Sequence, residues 1–200
     1  ERGEHTTELR GHTDWVWSIA EYDGKVFSAS HDWSWREWDV ATGAARGEHG
    51  HGKFAASCVL VDRDRVFTAS ADRTCKMWDL HTHQLLQTFA GHTNWVNWLA
   101  IQGDTLYTVS GDGSVRVYAI SSGELRHVIR DAHVDEHGRP SCINTVCVKD
   151  DKLVTGANSK DVRVWDVGTF ALRQALPGQS FAAPPDASPA QKANGDLQRG

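Results

Sequence analysis

Short runs of β-branched and aromatic residues recur along this chain, each closed by a polar turn. Lys25–Ser30, Arg65–Ser70, Thr105–Ser110 and Lys152–Ala157 are four such runs, and turns such as Gly111-Asp112-Gly113-Ser114 follow them. That composition fits a pleated, half-buried surface better than a helix. The next run in each case alternates, as in Ser114-Val115-Arg116-Val117-Tyr118 and Asp161-Val162-Arg163-Val164-Trp165, which is a period of two. Further turns stand at Ala41-Thr42-Gly43 and Ser121-Ser122-Gly123. Weaker strands are expected at Gln84–Phe89 and Glu124–Ile129, making three clear strands and a fourth per unit. No stretch carries a helical stripe, so the pattern predicts an all-β chain.

The units repeat. Asp32, Asp72 and Asp112 recur every 40 residues, each six residues before an aromatic at Trp38, Trp78 or Tyr118, and Trp165 follows after 47. Gly11-His12, Gly50-His51 and Gly91-His92 open the repeats, with Ala132-His133 as a degenerate fourth. A period near forty with Gly-His early and Trp-Asp late marks four-stranded, antiparallel propeller blades. The expected division is a leader at 1–10, repeats at 11–49, 50–90, 91–130 and 131–176, and a tail at 177–200. The fourth repeat holds a polar insertion at 133–141, read as a surface loop. Four of the five prolines lie in the tail, whose composition cannot offset the entropy of ordering it; disorder is expected there.

Composition narrows the function. The chain has 200 residues, 40% hydrophobic, and a formal charge of −5 without a basic block, which argues against a surface that tracks phosphates. No apolar run reaches membrane-spanning length, and the first residues lack a signal-peptide pattern. The four cysteines show no Cys-x-x-Cys spacing, and Cys58 and Cys75 lie in strand-like runs. They read as reduced thiols in an intracellular protein, cytoplasmic or nuclear.

Gly-His-Thr-Asp-Trp-Val, Gly-His-Thr-Asn-Trp-Val, Ser-Ala-Asp-Arg-Thr-Cys-Lys-Met-Trp-Asp and Ser-Gly-Asp-Gly-Ser-Val-Arg-Val-Tyr resemble the WD-repeat β-propeller family, over roughly residues 6–176. The resemblance implies a hydrogen-bonded tetrad in each blade: His12, Ser28, Asp32 and Trp38; His51, Thr68, Asp72 and Trp78; His92, Thr108 and Asp112 with Tyr118 replacing Trp; and His133, Thr155 and Trp165, with Ser159 where Asp is expected. It also implies partner binding on the upper rim. The residues at the matching positions are Trp15, Trp17 and His31; Phe54, Ala56 and Ala71; Trp95, Asn97 and Gly111; and Cys142, Asn144 and Asn158. Trp35 reads as core, Trp33 as an exposed turn residue, and Glu37 stands where the family has Val or Ile, beside Arg36.

Thr6–Arg10 reads as the outer strand of an upstream blade, because Phe170–Leu176 already supplies that strand to the fourth. Propellers run from four to about eight blades, so four blades and an orphan strand imply a larger ring, about seven-bladed by the resemblance. Its remaining blades would come from upstream sequence or another chain, with an eight-bladed pair of copies as the alternative. His133-Val-Asp-Glu-His137 spells a zinc-type motif, but it falls in a Gly/Pro-bounded loop instead of on a helix. His49-Gly-His51 and His81-Thr-His83 are too sparse to hold a metal, and no phosphate-cradling loop occurs. The expectation is a non-catalytic scaffold that binds a protein, without metal or cofactor, away from membranes and nucleic acid. An RNA-binding propeller and a propeller enzyme or metal-binding domain are the other classes.

Overall fold

The repeats become sheets. The computed structural model describes residues 7–178, so the first six residues and 179–200 of the expected tail lie outside the described residues. β1 (Val16–Tyr22), β2 (Lys25–Ser30), β3 (Ser34–Asp39) and β4 (Ala45–Gly50) form the first sheet. β5 (Ala56–Asp62), β6 (Arg65–Ser70), β7 (Cys75–Asp79) and β8 (Leu85–Phe89) form the second. β9 (Val96–Gln102), β10 (Thr105–Ser110), β11 (Val115–Ala119) and β12 (Leu125–Ile129) form the third, and β13 (Ile143–Lys149), β14 (Lys152–Ala157), β15 (Asp161–Asp166) and β16 (Leu172–Pro177) the fourth. All neighbours are antiparallel, and no helix occurs among the described residues.

Each sheet packs on the next through its inner strand, β1 on β5, β5 on β9 and β9 on β13. The core therefore lies in three seams. Phe27, Ala29 and Trp35 meet Val59, Val66 and Trp78 in the first; Phe67, Ala69 and Met77 meet Leu99, Leu106 and Tyr118 in the second. Tyr107, Val109 and Val115 meet Val146, Leu153 and Trp165 in the third. Trp35 is fully buried and Trp33 is exposed in a turn with φ of 76°, as read from the sequence.

Two boundaries shift. Pro177, assigned to the tail, is the last residue of β16, and Gly50, assigned to the second repeat, closes β4. Residues 7–10 of the orphan strand carry no ladder, since the fourth sheet is already completed by β16. Thr7 and Glu8 nevertheless lie against the turn glycine of the first sheet: a Cβ on Gly43 would meet the Glu8 carbonyl oxygen at 3.0 Å. The insertion is ordered and folds into a small hairpin. Val134 bridges Pro140, and the Asp135 carboxylate accepts the backbone N–H groups of His137 and Arg139.

That hairpin rests on the third sheet where only glycine fits. Gly113 has a φ of 77°, and a Cβ there would stand 2.7 Å from Pro140 Cβ. Gly24 has nearly the same conformation, φ 71°, with nothing within 4 Å. Gly24→Ala should cost about 1 kcal/mol through backbone strain alone. Gly113→Ala should cost clearly more, because overpacking adds roughly 1–3 kcal/mol. Thermal melts of the two variants compare them directly, and equal losses would remove the hairpin contact from the account.

Candidate functional site

A chain of directional hydrogen bonds ties each sheet to the loop that precedes it. In the first sheet Trp38 Nε1–H donates to Ser28 Oγ at 2.7 Å, Ser28 Oγ and His12 Nε2 are 2.6 Å apart, and His12 Nδ1 lies 2.7 Å from Asp32 Oδ2. The Trp N–H uses one lone pair of the hydroxyl, so its hydrogen goes to Nε2, and the neutral imidazole donates from Nδ1 to the carboxylate. The second sheet repeats this with Trp78, Thr68, His51 and Asp72 at 2.8 Å for each contact. Burial alone would raise these aspartates, but hydrogen bonds from the histidine and the neighbouring Ser or Thr, joined by backbone N–H groups at Asp32, Asp72 and Asp112 and by Arg163 at Asp161, hold all four well below the usual carboxylate range. Burial pushes His51 and His133 down against the pull of their aspartates, which keeps the rings neutral.

Two tetrads differ from the sequence reading. In the fourth sheet the carboxylate partner of His133 Nδ1 is Asp161, at 2.8 Å, with Ser159 Oγ as a longer second contact at 3.3 Å. Elsewhere the order is Asp then Ser or Thr two residues on, with Ser34, Thr74 and Ser114 each bonded to the aspartate. In the fourth sheet the pair is inverted: Ser159 Oγ bonds Asp161, and Arg163 Nε–H donates to the same carboxylate at 2.6 Å. The full tetrad of Trp165, Thr155, His133 and Asp161 is therefore present. In the third sheet His92 keeps Thr108 and Asp112, but Tyr118 leaves the chain and donates its hydroxyl to the Ala90 carbonyl at 3.0 Å.

The tetrad loops and the β2–β3-type turns lie at one end of the sheets and form the upper rim. There each inner strand begins with a bulge, so that Trp17, Ser57, Asn97 and Asn144 fall out of the ladder at equivalent points. A bulge re-aims the side chain it frees. All four line one cavity of about 360 Å³, together with Ala55, Ala71, Trp95 and Trp98. Trp15 is 70% exposed, and Trp17 and Trp95 are about half exposed. Trp15, Trp17 and His31 pack as one aromatic cluster with centroids 5.8–6.4 Å apart, and Asp14 holds His31 at 2.9 Å. The amide groups are tied down as well. Asn97 Nδ2 donates to the Ile143 carbonyl at 2.7 Å, and Asn144 Nδ2 donates to Asn158 Oδ1 at 2.6 Å.

The second sheet is out of step with the sequence reading by one residue. Ala71 N–H donates to Ala55, as His31 does to Trp15, Gly111 to Trp95 and Asn158 to Cys142. Ala55 and Ser57 thus hold the rim positions assigned to Phe54 and Ala56; Phe54 is an exposed loop residue and Ala56 is fully buried. The sequence carries the signal: His51 precedes Asp72 by 21 residues, where His12–Asp32 and His92–Asp112 are 20 apart. Glu37, set beside Arg36 in the sequence reading, pairs instead with Lys25 at 2.9 Å and His83 at 2.8 Å, while Arg36 bonds Glu48. Among the described residues no three His, Cys, Asp or Glu groups converge as metal ligands, and His133 of the zinc-type motif is consumed by its tetrad.

Sheets of this order, joined inner strand to inner strand and each closed by such a tetrad, define a propeller-type repeat protein. The family described as WD domain, G-beta repeat matches residues 3–39, 46–79 and 83–119, more than half of the sequence. The chain belongs to the WD-repeat family. It is 30% identical over 162 residues to the DENN domain and WD repeat-containing protein SCD1 of Arabidopsis thaliana, covering 80% of this chain and 13% of that protein. Among solved structures, the computationally designed Ika4 protein superposes with a TM-score of 0.71 at 27% identity, over 83% of this chain and 99% of Ika4. U3-55K superposes at 0.76 with 22% identity, over 86% of this chain and 54% of that one.

Removing one tetrad member strands its buried partners at a cost of about 1–3 kcal/mol each. His51→Ala should lower the melting temperature by several degrees, and Asp161→Ala should do the same while Ser159→Ala costs less. An Asp161→Ala protein that melts with wild type would refute the inverted pair. Because the folded His51 and His133 titrate below their unfolded value, the unfolded chain binds more protons in between, and stability should fall as pH drops below about 6.5. A second loss should begin near pH 4, where unfolded aspartates take protons that the folded ones refuse. Denaturant midpoints from pH 8 to 3 would show both, and a flat profile would contradict the neutral-imidazole assignment.

Proposed function

We propose that this segment is a non-catalytic recognition module that holds a protein partner on its upper rim, as a subunit of an intracellular assembly. The observation that carries the reading is the placing of Trp17, Ser57, Asn97 and Asn144 on four equivalent bulges around one cavity, ringed by the exposed Trp15 and Trp95. Large rings set on a rigid frame among tied-down amides have the composition of interface hot spots. No helix among the described residues is long and apolar enough to cross a membrane. The chain spans 13% of SCD1's length.

The two end sheets support the same reading, because each shows half of a seam. Ile19, 73% exposed, and Val16 stand where Val59 and Ala56 are buried in the second sheet. Val162 and Leu176, at 40% and 45%, stand where Cys75 and Phe89 are buried. Thr7 lies five residues before His12 and touches the space beside Gly43; Gln87 lies five before His92 and touches the space beside Gly123. The leader thus keeps the place of an outer strand, and further blades, from this protein or another chain, would cover the open faces and complete a larger ring.

Trp17→Ala and Trp95→Ala should each weaken capture of the natural partner at least tenfold, with a melting temperature within about 2 °C of wild type; truncating a hot spot costs 2 kcal/mol or more, and 1.4 kcal/mol is a factor of ten. Quantitative affinity capture at low and high salt checks this. Undiminished capture by the double variant would sink the rim as the binding surface, and salt-sensitive retention on RNA would favour a nucleic-acid ligand instead.

A further inference from the structure

Four departures from the repeat converge at one point of the first seam. Glu37 occupies the place held by the buried Met77 and Val117, and His49 the place held by the buried Phe89 and Ile129. His83 takes the turn position filled by Gly43 and Gly123, in the left-handed region at φ 57°, and Gly47 stands where Gln87 and His127 carry side chains. The gap left by Gly47 is used, since a Cβ there would meet His49 Nε2 at 2.6 Å and His83 Nδ1 at 3.5 Å. The result is a chain of polar groups across the seam: Lys25 Nζ to Glu37 at 2.9 Å, Glu37 to His83 Nε2 at 2.8 Å, and His83 Nδ1 to His49 Nε2 at 3.0 Å. Trp35 covers both rings, at 5.0 Å from His49 and 5.3 Å from His83.

The protons in this chain are countable. Glu37 is 3% exposed at its side chain and accepts from two donors, so it is a carboxylate and His83 Nε2 carries a hydrogen. Burial would raise Glu37, but Lys25 and His83 outweigh it and hold the group below its ordinary value. With Nε2 protonated, the neutral His83 presents a lone pair at Nδ1, and His49 Nε2–H donates into it. One extra proton can be absorbed by reversing that bond, with His49 protonated at Nδ1 and His83 a cation on Glu37. A second cannot: two N–H groups would then face each other across 3.0 Å, on cations whose ring centroids are 4.6 Å apart. Two sites so close titrate as a pair.

We propose that the seam between the first and second sheets is a proton-sensitive clasp, in which the His49–His83 pair tolerates one added proton and is split by a second, releasing β4 from the turn that carries His83. The surrounding charges do not remove the conflict. Glu37 is shared with Lys25, Glu48 on β4 is held by Arg36, and on the second sheet the His51–Asp72 pair is closed within its tetrad. Asp79, at the start of the turn, accepts from Thr82 and the backbone of His81. Burial, with His83 beside it, holds His49 below its ordinary value. The third seam has no such chain at the matching place: Phe170 stacks on His127 at 4.3 Å.

Hydrogen exchange of wild-type protein between pH 7.5 and 5, corrected for intrinsic rates, tests the clasp. Amides of β4 and of residues 79–85 should lose at least about tenfold more protection than those of β12 and residues 166–172, tenfold corresponding to one unit of differential proton affinity. The Glu37→Val/His49→Phe/His83→Gly variant installs residue types found at these positions in other repeats and leaves every tetrad intact. Its two seams should respond alike. Equal responses in wild type, or the same excess loss in the variant, would overturn the proposal. Should the variant fail to fold, the histidine carbon-bound proton resonances of wild type decide: coupled two-step titration of His49 and His83 supports the clasp, and independent single titrations refute it.

Discussion

The hydrogen-bond chain from Trp through a hydroxyl to His and Asp is the constraint on which the molecule rests. Its members come from the preceding loop, the second strand, the turn and the third strand of one sheet. Closing the chain therefore fixes how far that loop stands above that sheet. Every group has a single partner for each hydrogen, so alternatives leave a buried polar atom unpaired. In the first and third sheets the aspartate also receives the backbone N–H of Thr13 or Thr93, which places the loop entering the inner strand. The bulge that follows, and with it the direction of Trp17 or Asn97, inherits its position from this bond network.

Much of this was legible because the repeat is written in residue types with few alternatives. Strand positions, turns and three of the aspartates follow from period and alternation. The inverted Ser159–Asp161 pair was not, because spacing to a matched position says nothing of two side chains that can trade roles while keeping one bond between them. The rim of the second sheet differs for a related reason: one extra residue between His51 and Ala56 moves the two inner-strand rim positions by one, while the matches from Thr68 onward keep their places. The Glu37–His83 contact joins residues 46 apart in sequence and in different sheets, so no local pattern encodes it.

The seams explain why such departures are tolerated. Most of the apolar burial lies between sheets, in clusters drawn from two neighbours at a time. In an architecture where each repeat touches only its neighbours, a change at one seam stays local to that seam. The first seam can therefore hold a buried carboxylate and two imidazoles while the second stays apolar around Phe67, Met77, Leu106 and Tyr118. The indole N–H of Trp35, buried without a partner beside that network, shows that the polar seam is not fully satisfied. An unpaired buried donor costs roughly 1–3 kcal/mol, a penalty this seam carries at Trp35.

On the proposed reading, stability and recognition are divided between two sets of residues that lie only a few positions apart. His12 and Asp32 are turned inward and consumed by bonds, while Trp15, Trp17 and His31 on the same loop and turn face outward. The tetrad holds the loop ends, so the exposed residues between them can change without disturbing the sheet. The third sheet, with Tyr118 outside its tetrad, still presents Trp95 and Asn97 at the rim with the same backbone bond, Gly111 N–H to Trp95 C=O at 2.9 Å. A frame that keeps its rim geometry despite losing one of four tetrad members is over-determined, and that surplus leaves the rim residues free to vary without disturbing the sheet.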